Sequence, residues 1–189
     1  MKITIIIPSY NEAETLPKII KKVLGQKIPY EKEIIVIDDG STDETSKTKE
    51  QFSSNKNIKW ITNDRNLGKG ASIKKALEKA TGSIILIQDA DLEYHPGDYP
   101  RLLAPFKNHY AKVVYGSRVL GDNPISHWTF NFGGRIITLI TNLLYCVHIT
   151  DEPTGYKVFR SDVLKKLKLK SKRFEFCPEV TAKIARSGI

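Results

Sequence analysis

Short, β-branched apolar runs alternate along this chain with segments of helical periodicity, and that alternation limits the folds open to it. Lys2–Ile7, Glu33–Ile37, Ile58–Thr62, Ser83–Ile87 and Lys112–Tyr115 read as strands. Between them Leu16, Ile19, Ile20, Val23 and Leu24 recur at helical spacing, as do Ile73, Ala76, Leu77 and Ala80. Thr42–Phe52 reads as a more polar helix and Pro96–Lys107 as a short one. The pattern predicts an α/β fold with a mostly parallel central sheet and helices on both faces. Such sheets bind ligands at the carboxyl ends of their strands.

With 189 residues and no repeat or linker, one domain is expected over 1–189. Its character changes after residue 117, where the simple alternation gives way to glycines and aromatics. Cys146 and Cys177 have no close-spaced partner, which excludes a disulfide framework or zinc knuckle and fits a reducing compartment. The apolar run before Pro8 is too short for a signal-peptide core. No window approaches the ~20 apolar residues of a membrane-spanning helix, so a soluble or peripheral protein is expected. The net charge of +9 attracts anions in general. No aromatic-interleaved RNA motif or helix-turn-helix pattern accompanies it, and no nucleic-acid partner is expected.

The strand ends carry the chemistry. Pro8-Ser-Tyr-Asn-Glu12 follows the first strand without a glycine-rich turn, which excludes the dinucleotide fingerprint. Asn66-Leu-Gly-Lys-Gly70 lacks the earlier glycine and the later Ser/Thr of a Walker A loop. It still puts Lys69 at a predicted helix start, where a phosphate contact and a plain turn are both open. In Val36-Ile-Asp-Asp-Gly-Ser-Thr-Asp43, Asp39 suits a base N–H or ribose hydroxyl, and Asp43 or a neighbour suits a helix cap. The fourth strand ends in Gln88-Asp-Ala-Asp-Leu-Glu93. Carboxylates there are costly unless they meet a cation or donors. Residues two apart on extended chain point the same way, so Asp89 and Asp91 can share one Mg2+ or Mn2+ with substrate phosphate oxygens.

PSYNE (8–12), DDGSTDET (38–45), NLGKG (66–70), QDADLEYHP (88–96), YGSR (115–118), TDEPTGYKVFR (150–160) and FEFCPEVTAK (174–183) occur in this order. Together they resemble the family 2 glycosyltransferases over nearly the whole chain, especially the polyprenyl- (dolichyl-) phosphate mannosyl- and glucosyltransferases. The resemblance implies a GT-A nucleotide-diphospho-sugar transferase fold and an inverting transfer. It implies that Pro8, Tyr10, Glu12, Ile37 and Asp39 line the nucleoside. Asp89, Ala90, Asp91 and Glu93 would hold metal and diphosphate, with Arg118 approaching the phosphates. Glu93 stands where the mannosyltransferase branch often has glutamine. Residues 1–117 are then the nucleotide-sugar half and 118–189 the acceptor-side half. Relatives continue beyond Ser187-Gly-Ile189 into a further strand and a basic segment, so the expectation is either a truncated chain or a less enclosed active site.

The expected reaction moves mannose or glucose from a GDP- or UDP-hexose to a polyprenyl phosphate at the cytoplasmic membrane face. A phosphate acceptor, with a second pKa of roughly 6, needs cations more than a base; Arg118 and Arg135 are the candidates. A hydroxyl acceptor would need a general base: Asp151 first, Glu179 second. A non-catalytic nucleotide-sugar-binding module is a further alternative. Ile136, Ile137, Leu139, Ile140, Leu143, Leu144 and Val147 share one helical face. That face is open to two readings, a core-facing helix or one lying against a membrane with Arg135, Trp128 and Phe132 at its start. His95 is a turn residue or a donor-side contact, and His109, His127 and His148 lack ligand-like spacing.

Overall fold

The computed structural model describes residues 1–108, 111–120 and 128–188, the side chains of Asn108 and of residues 128–132 excepted. His109, His127 and the side chains of Trp128 and Phe132 therefore lie outside the described residues. Strands β1 (Lys2–Ser9), β2 (Glu31–Asp38), β3 (Ile58–Thr62), β4 (Ile84–Ile87), β5 (Val113–Tyr115) and β6 (Lys157–Arg160) form one sheet ordered β3-β2-β1-β4-β6-β5. The helices are α1 (Leu16–Gly25), α2 (Lys47–Gln51), α3 (Lys69–Lys79), α4 (Tyr99–Leu103), α5 (Trp128–Tyr145), α6 (Ser161–Lys166) and α7 (Phe176–Arg186).

β1 to β4 run parallel, with Ile5 opposite both Ile34 and Leu86. The expected mostly parallel sheet is what forms, with one strand reversed. β6, which the sequence pattern did not reveal, runs antiparallel between β4 and β5. Residues from the two halves of the chain thus share a single sheet.

Strand side chains alternate between two helical layers. Ile3, Ile5 and Ile7 of β1, with Ile34, Val36, Leu86 and Val158, pack against Leu16, Ile19, Ile20 and Val23 of α1 and Tyr99 and Leu102 of α4. Ile6, Ile35, Ile37, Ile85, Ile87 and Phe159 face Ile73, Ala76 and Leu77 of α3 and Phe176, Val180 and Ile184 of α7. Burial on both faces explains the unbroken apolar runs. Each such side chain contributes roughly 1.5–3 kcal/mol. At the amino end of the sheet Glu33 is buried and accepts bonds from Thr4 Oγ1 (2.5 Å), Lys59 Nζ (2.6 Å) and the amide (2.8 Å) and hydroxyl (2.9 Å) of Thr81. Burial alone would push its carboxyl up, but these donors together bring it down to about 2.

Two helical expectations changed. Thr42–Phe52 is a 3-10 turn, Glu44–Ser46, followed by α2, because the Asp43 carboxylate captures the Thr45 amide and starts the turn late. Pro96–Lys107 is broken into 3-10 turns either side of α4, consistent with Pro100 and Pro105, which lack an N–H. In α5 Thr138 and Thr141 point inward, while Ile137, Ile140, Leu143 and Leu144 are 45%, 49%, 71% and 70% exposed. Its apolar stripe faces outward, not into the core. Among the described residues no helix is long and apolar enough to cross a membrane.

Candidate active site

Three loops meet at the carboxyl ends of β1, β2 and β4. The loops after β1 and β2 are stitched together. Asn11 N donates to Ser41 Oγ (2.9 Å), Thr42 N to Asn11 Oδ1 (2.9 Å), Glu12 N to Thr45 Oγ1 (2.8 Å) and Ala13 N to Asp43 Oδ2 (3.2 Å). Asp39 is 3% exposed and anchors the Asn66–Gly70 turn. Its Oδ1 accepts from Asn63 Nδ2 (2.7 Å) and Leu67 N (3.0 Å), and its Oδ2 accepts from Gly68 N (2.7 Å). A carboxylate offers about four acceptor positions, so one on Oδ2 is left for a ligand.

The acidic loop is held from below by Gln88, which is fully buried. Its amide donates to Asp89 O (2.9 Å) and Tyr94 O (3.3 Å), and its Oε1 accepts from Tyr99 (2.8 Å) and Tyr156 (3.0 Å) hydroxyls. Within this loop Leu92 sits at φ 68°, a left-handed conformation costly for a side chain of its size. Asp89 lies between two groups. Oδ1 meets Lys69 Nζ at 2.5 Å, and Oδ2 lies so close to Gly155 that a β-carbon there would overlap it. Asp91 accepts from the Glu93 amide at 3.0 Å. Burial, and then the charge of Asp89, push the Asp91 carboxyl above its ordinary range. Burial and the charge of Asp91 do the same to Glu93. Burial opposes the charge on Lys69, but Asp89 outweighs it and raises that group.

These loops enclose a cavity of about 300 Å³ lined by Pro8, Ser9, Tyr10, Glu12, Asp39, Lys69, Asp89, Ala90 and Asp91, and by Arg173 and Phe174 from the carboxyl-terminal segment. The Ser9 hydroxyl is buried here without a partner among the described residues, a cost that a ligand's polar edge would remove. Paired carboxylates beside this space fit a divalent cation that takes one or two carboxylates plus phosphate oxygens. Among the described residues no three acidic, histidine or cysteine side chains converge as a metal-binding group. Asp89 and Asp91 both line the cavity, and Glu93 is not among its lining residues.

Other expected residues lie elsewhere. Ile37 is in the core beneath α3 and does not line the cavity, since alternation along β2 turns it away. Arg118 lines a second cavity of about 330 Å³ with Tyr94, Arg101, Tyr115 and Tyr156. It grips Asp151 through Nε (2.9 Å), NH2 (2.9 Å) and its backbone amide (2.9 Å). Burial acts against the Asp151 charge, but the Arg118 bonds win and hold its carboxyl below the usual range. Arg135 is exposed on α5 and lines neither cavity. Glu179 is not a free base: it accepts from the amides of Lys170 (2.7 Å) and Ser171 (2.8 Å), meets Lys183 at 2.7 Å, and is drawn down to about 2 by these donors despite burial. His95 is a turn residue, its Nδ1 accepting from Gly97 N at 3.0 Å.

Residues 4–168 match the family described as Glycosyl transferase family 2, and the chain belongs to that family. It is 27% identical over 187 residues to a dolichol-phosphate mannosyltransferase of Pyrococcus furiosus, covering 97% of this chain and 53% of that protein. It is 28% identical to an undecaprenyl-phosphate 4-deoxy-4-formamido-L-arabinose transferase of Pseudomonas fluorescens, covering 97% of this chain and 54% of the relative. The chain thus spans about half the length of these two relatives. Among solved structures, glucosyl-3-phosphoglycerate synthase from Mycobacterium tuberculosis, in complex with Mn2+, UDP and phosphoglyceric acid, superposes with a TM-score of 0.68 at 21% identity, over 95% of this chain and 61% of that one. The fold is the GT-A glycosyltransferase fold.

Proposed function

We propose that this chain carries the catalytic site of a transferase that moves a hexose, mannose or glucose, from a UDP- or GDP-sugar to a polyprenyl phosphate at the cytoplasmic membrane surface. What supports this reading is one cavity lined by Asp39, by Ser9, whose hydroxyl has no partner among the described residues, and by Asp89 and Asp91. Such a lining suits the nucleoside and the metal-bound diphosphate of one donor. The relatives' names supply the acceptor class, and the outward apolar stripe of α5 supplies a surface to meet it.

Asp89 and Asp91 would hold Mg2+ or Mn2+, which neutralises charge growing on the departing diphosphate. Asp39, Ser9, Pro8, Tyr10 and Glu12 orient the nucleoside. Lys69 balances Asp89 until phosphate oxygens arrive. Arg118, fixed by Asp151, presents a rigid guanidinium toward the acceptor phosphate. Asp151 then acts as a positioning group; a carboxylate so firmly paired is a weak base, which favours a phosphate acceptor over a hydroxyl.

The test supplies labelled UDP- or GDP-hexose with polyprenyl phosphate and Mg2+ or Mn2+ and follows label into organic solvent. Asp91→Ala is expected to reduce that transfer by at least ~10²-fold with an unchanged circular dichroism spectrum. Label confined to the aqueous phase, or full transfer by the variant, would refute the reading.

A further inference from the structure

We infer that Arg173, held in place by Glu179, is the cation that meets the diphosphate of the donor; this rests on the nucleoside-diphosphate reading of the cavity. The carboxylates and cations lining that cavity are Glu12, Asp39, Lys69, Asp89, Asp91 and Arg173, with acids outnumbering bases. Lys69 is already committed to Asp89 at 2.5 Å. Arg173 has no carboxylate within ion-pairing distance among the described residues, and its side chain is exposed at the cavity wall. A polyanion entering this space therefore finds one uncommitted guanidinium, whose planar fork suits phosphate oxygens.

The segment that brings Arg173 there is built, not draped. Lys172 O accepts from the Ala71 amide in the first turn of α3 at 2.8 Å, and Lys170 O accepts from Lys74 Nζ at 3.0 Å. The stem of Arg173 lies across Gly68, where a β-carbon would fall 2.7 Å from its Cγ. Gly68 is at φ 95° and its amide is bound by Asp39, so the surface that Arg173 crosses is set by the same carboxylate that faces the nucleoside. From the other side Glu179 accepts from the amides of Lys170 and Ser171 and pairs with Lys183. Its role is to fix the Lys170–Ser171 backbone that leads to Arg173. Nothing in the motif pattern marks Arg173, because the bonds that seat its segment on α3 join residues about a hundred apart in sequence.

The experiment is calorimetric titration of the full chain with UDP and GDP, each with Mg2+, against uridine, guanosine and inorganic pyrophosphate. Arg173→Gln is expected to weaken the diphosphates and pyrophosphate by roughly tenfold to a hundredfold, leaving the nucleosides unchanged, and Arg173→Lys is expected to restore part of the loss. Glu179→Ala is expected to weaken the same ligands, and the double variant to bind no worse than Arg173→Gln alone, because both act through one contact. Equal diphosphate affinity in Arg173→Gln and the unaltered protein, or equal losses for nucleoside and diphosphate, would overturn the inference alone. Failure of the unaltered protein to bind any nucleoside diphosphate would overturn the cavity reading and this inference together.

Discussion

Gly155 shows how much a single position sets at the residue scale. It is not at positive φ, so alanine would fit its backbone; the restriction is the Asp89 Oδ2 and Tyr94 ring atoms that a β-carbon would meet. Gly155→Ala should push Asp89 off its place, cost about 1–3 kcal/mol by overpacking, and reduce the proposed sugar transfer far more than it reduces the melting temperature. Parallel kinetics and thermal denaturation check this; wild-type kcat would count against it. Some residues of the cavity were legible from sequence: Asp89, Asp91 and Asp39 follow buried strands, where carboxylates need a reason to be. Gly155, Gln88 and Arg173 were not, since their importance comes from neighbours remote in sequence. The sequence marks Arg118 and Asp151 separately, one for phosphate binding and the other for base catalysis. Their bidentate pairing was invisible because nothing in a one-dimensional pattern reports that two loops touch.

At the scale of elements, α5 inverts the usual arrangement. Thr138 faces in because it has work there: its hydroxyl donates to Gly134 O at 2.8 Å and accepts from the Glu152 amide at 3.0 Å, tying the helix to the loop that holds Asp151. Leu143 and Leu144 face out and support nothing internally. Replacing both with serine should leave stability within about 0.5 kcal/mol while reducing co-flotation with vesicles containing anionic lipid. Undiminished flotation would remove α5 as the membrane-facing element. Periodicity identified this stripe but left its direction open, because a core face and a lipid face have the same composition. β6 escaped notice for another reason. Lys157 is buried in it, its ammonium bonded to Glu152 O and Thr154 O at 2.7 Å each and set 4.6 Å from the Tyr115 ring centre, so a charge sits where a strand pattern expects an apolar residue.

For the whole molecule, one part of the acid stability comes from Glu33, at the amino end of the sheet. The Glu33 carboxyl lies at about 2 against 4.5 for the ordinary group. A depressed value means the stabilisation is whole above pH about 5 and is lost as pH falls toward 2, a contribution on the order of 3 kcal/mol. Glu33→Gln should lower stability at neutral pH and flatten its decline between those limits, with Glu179 supplying part of the slope that remains. Urea titrations across that range measure both; an unchanged slope would assign the acid limb to other carboxylates. The parallel core was readable as a whole because burial on both faces leaves unbroken apolar runs. The reversed strand β6, next to the sheet's edge, was not, and it orders events in time. Leu86 of β4 waits for Val158 to complete its pairing, and Asp89 waits for Gly155. During synthesis the strands that frame the cavity leave the ribosome well before the segment that braces the acidic loop. A nascent chain can thus bury its first core before that loop is braced, and the finished cavity is acquired late.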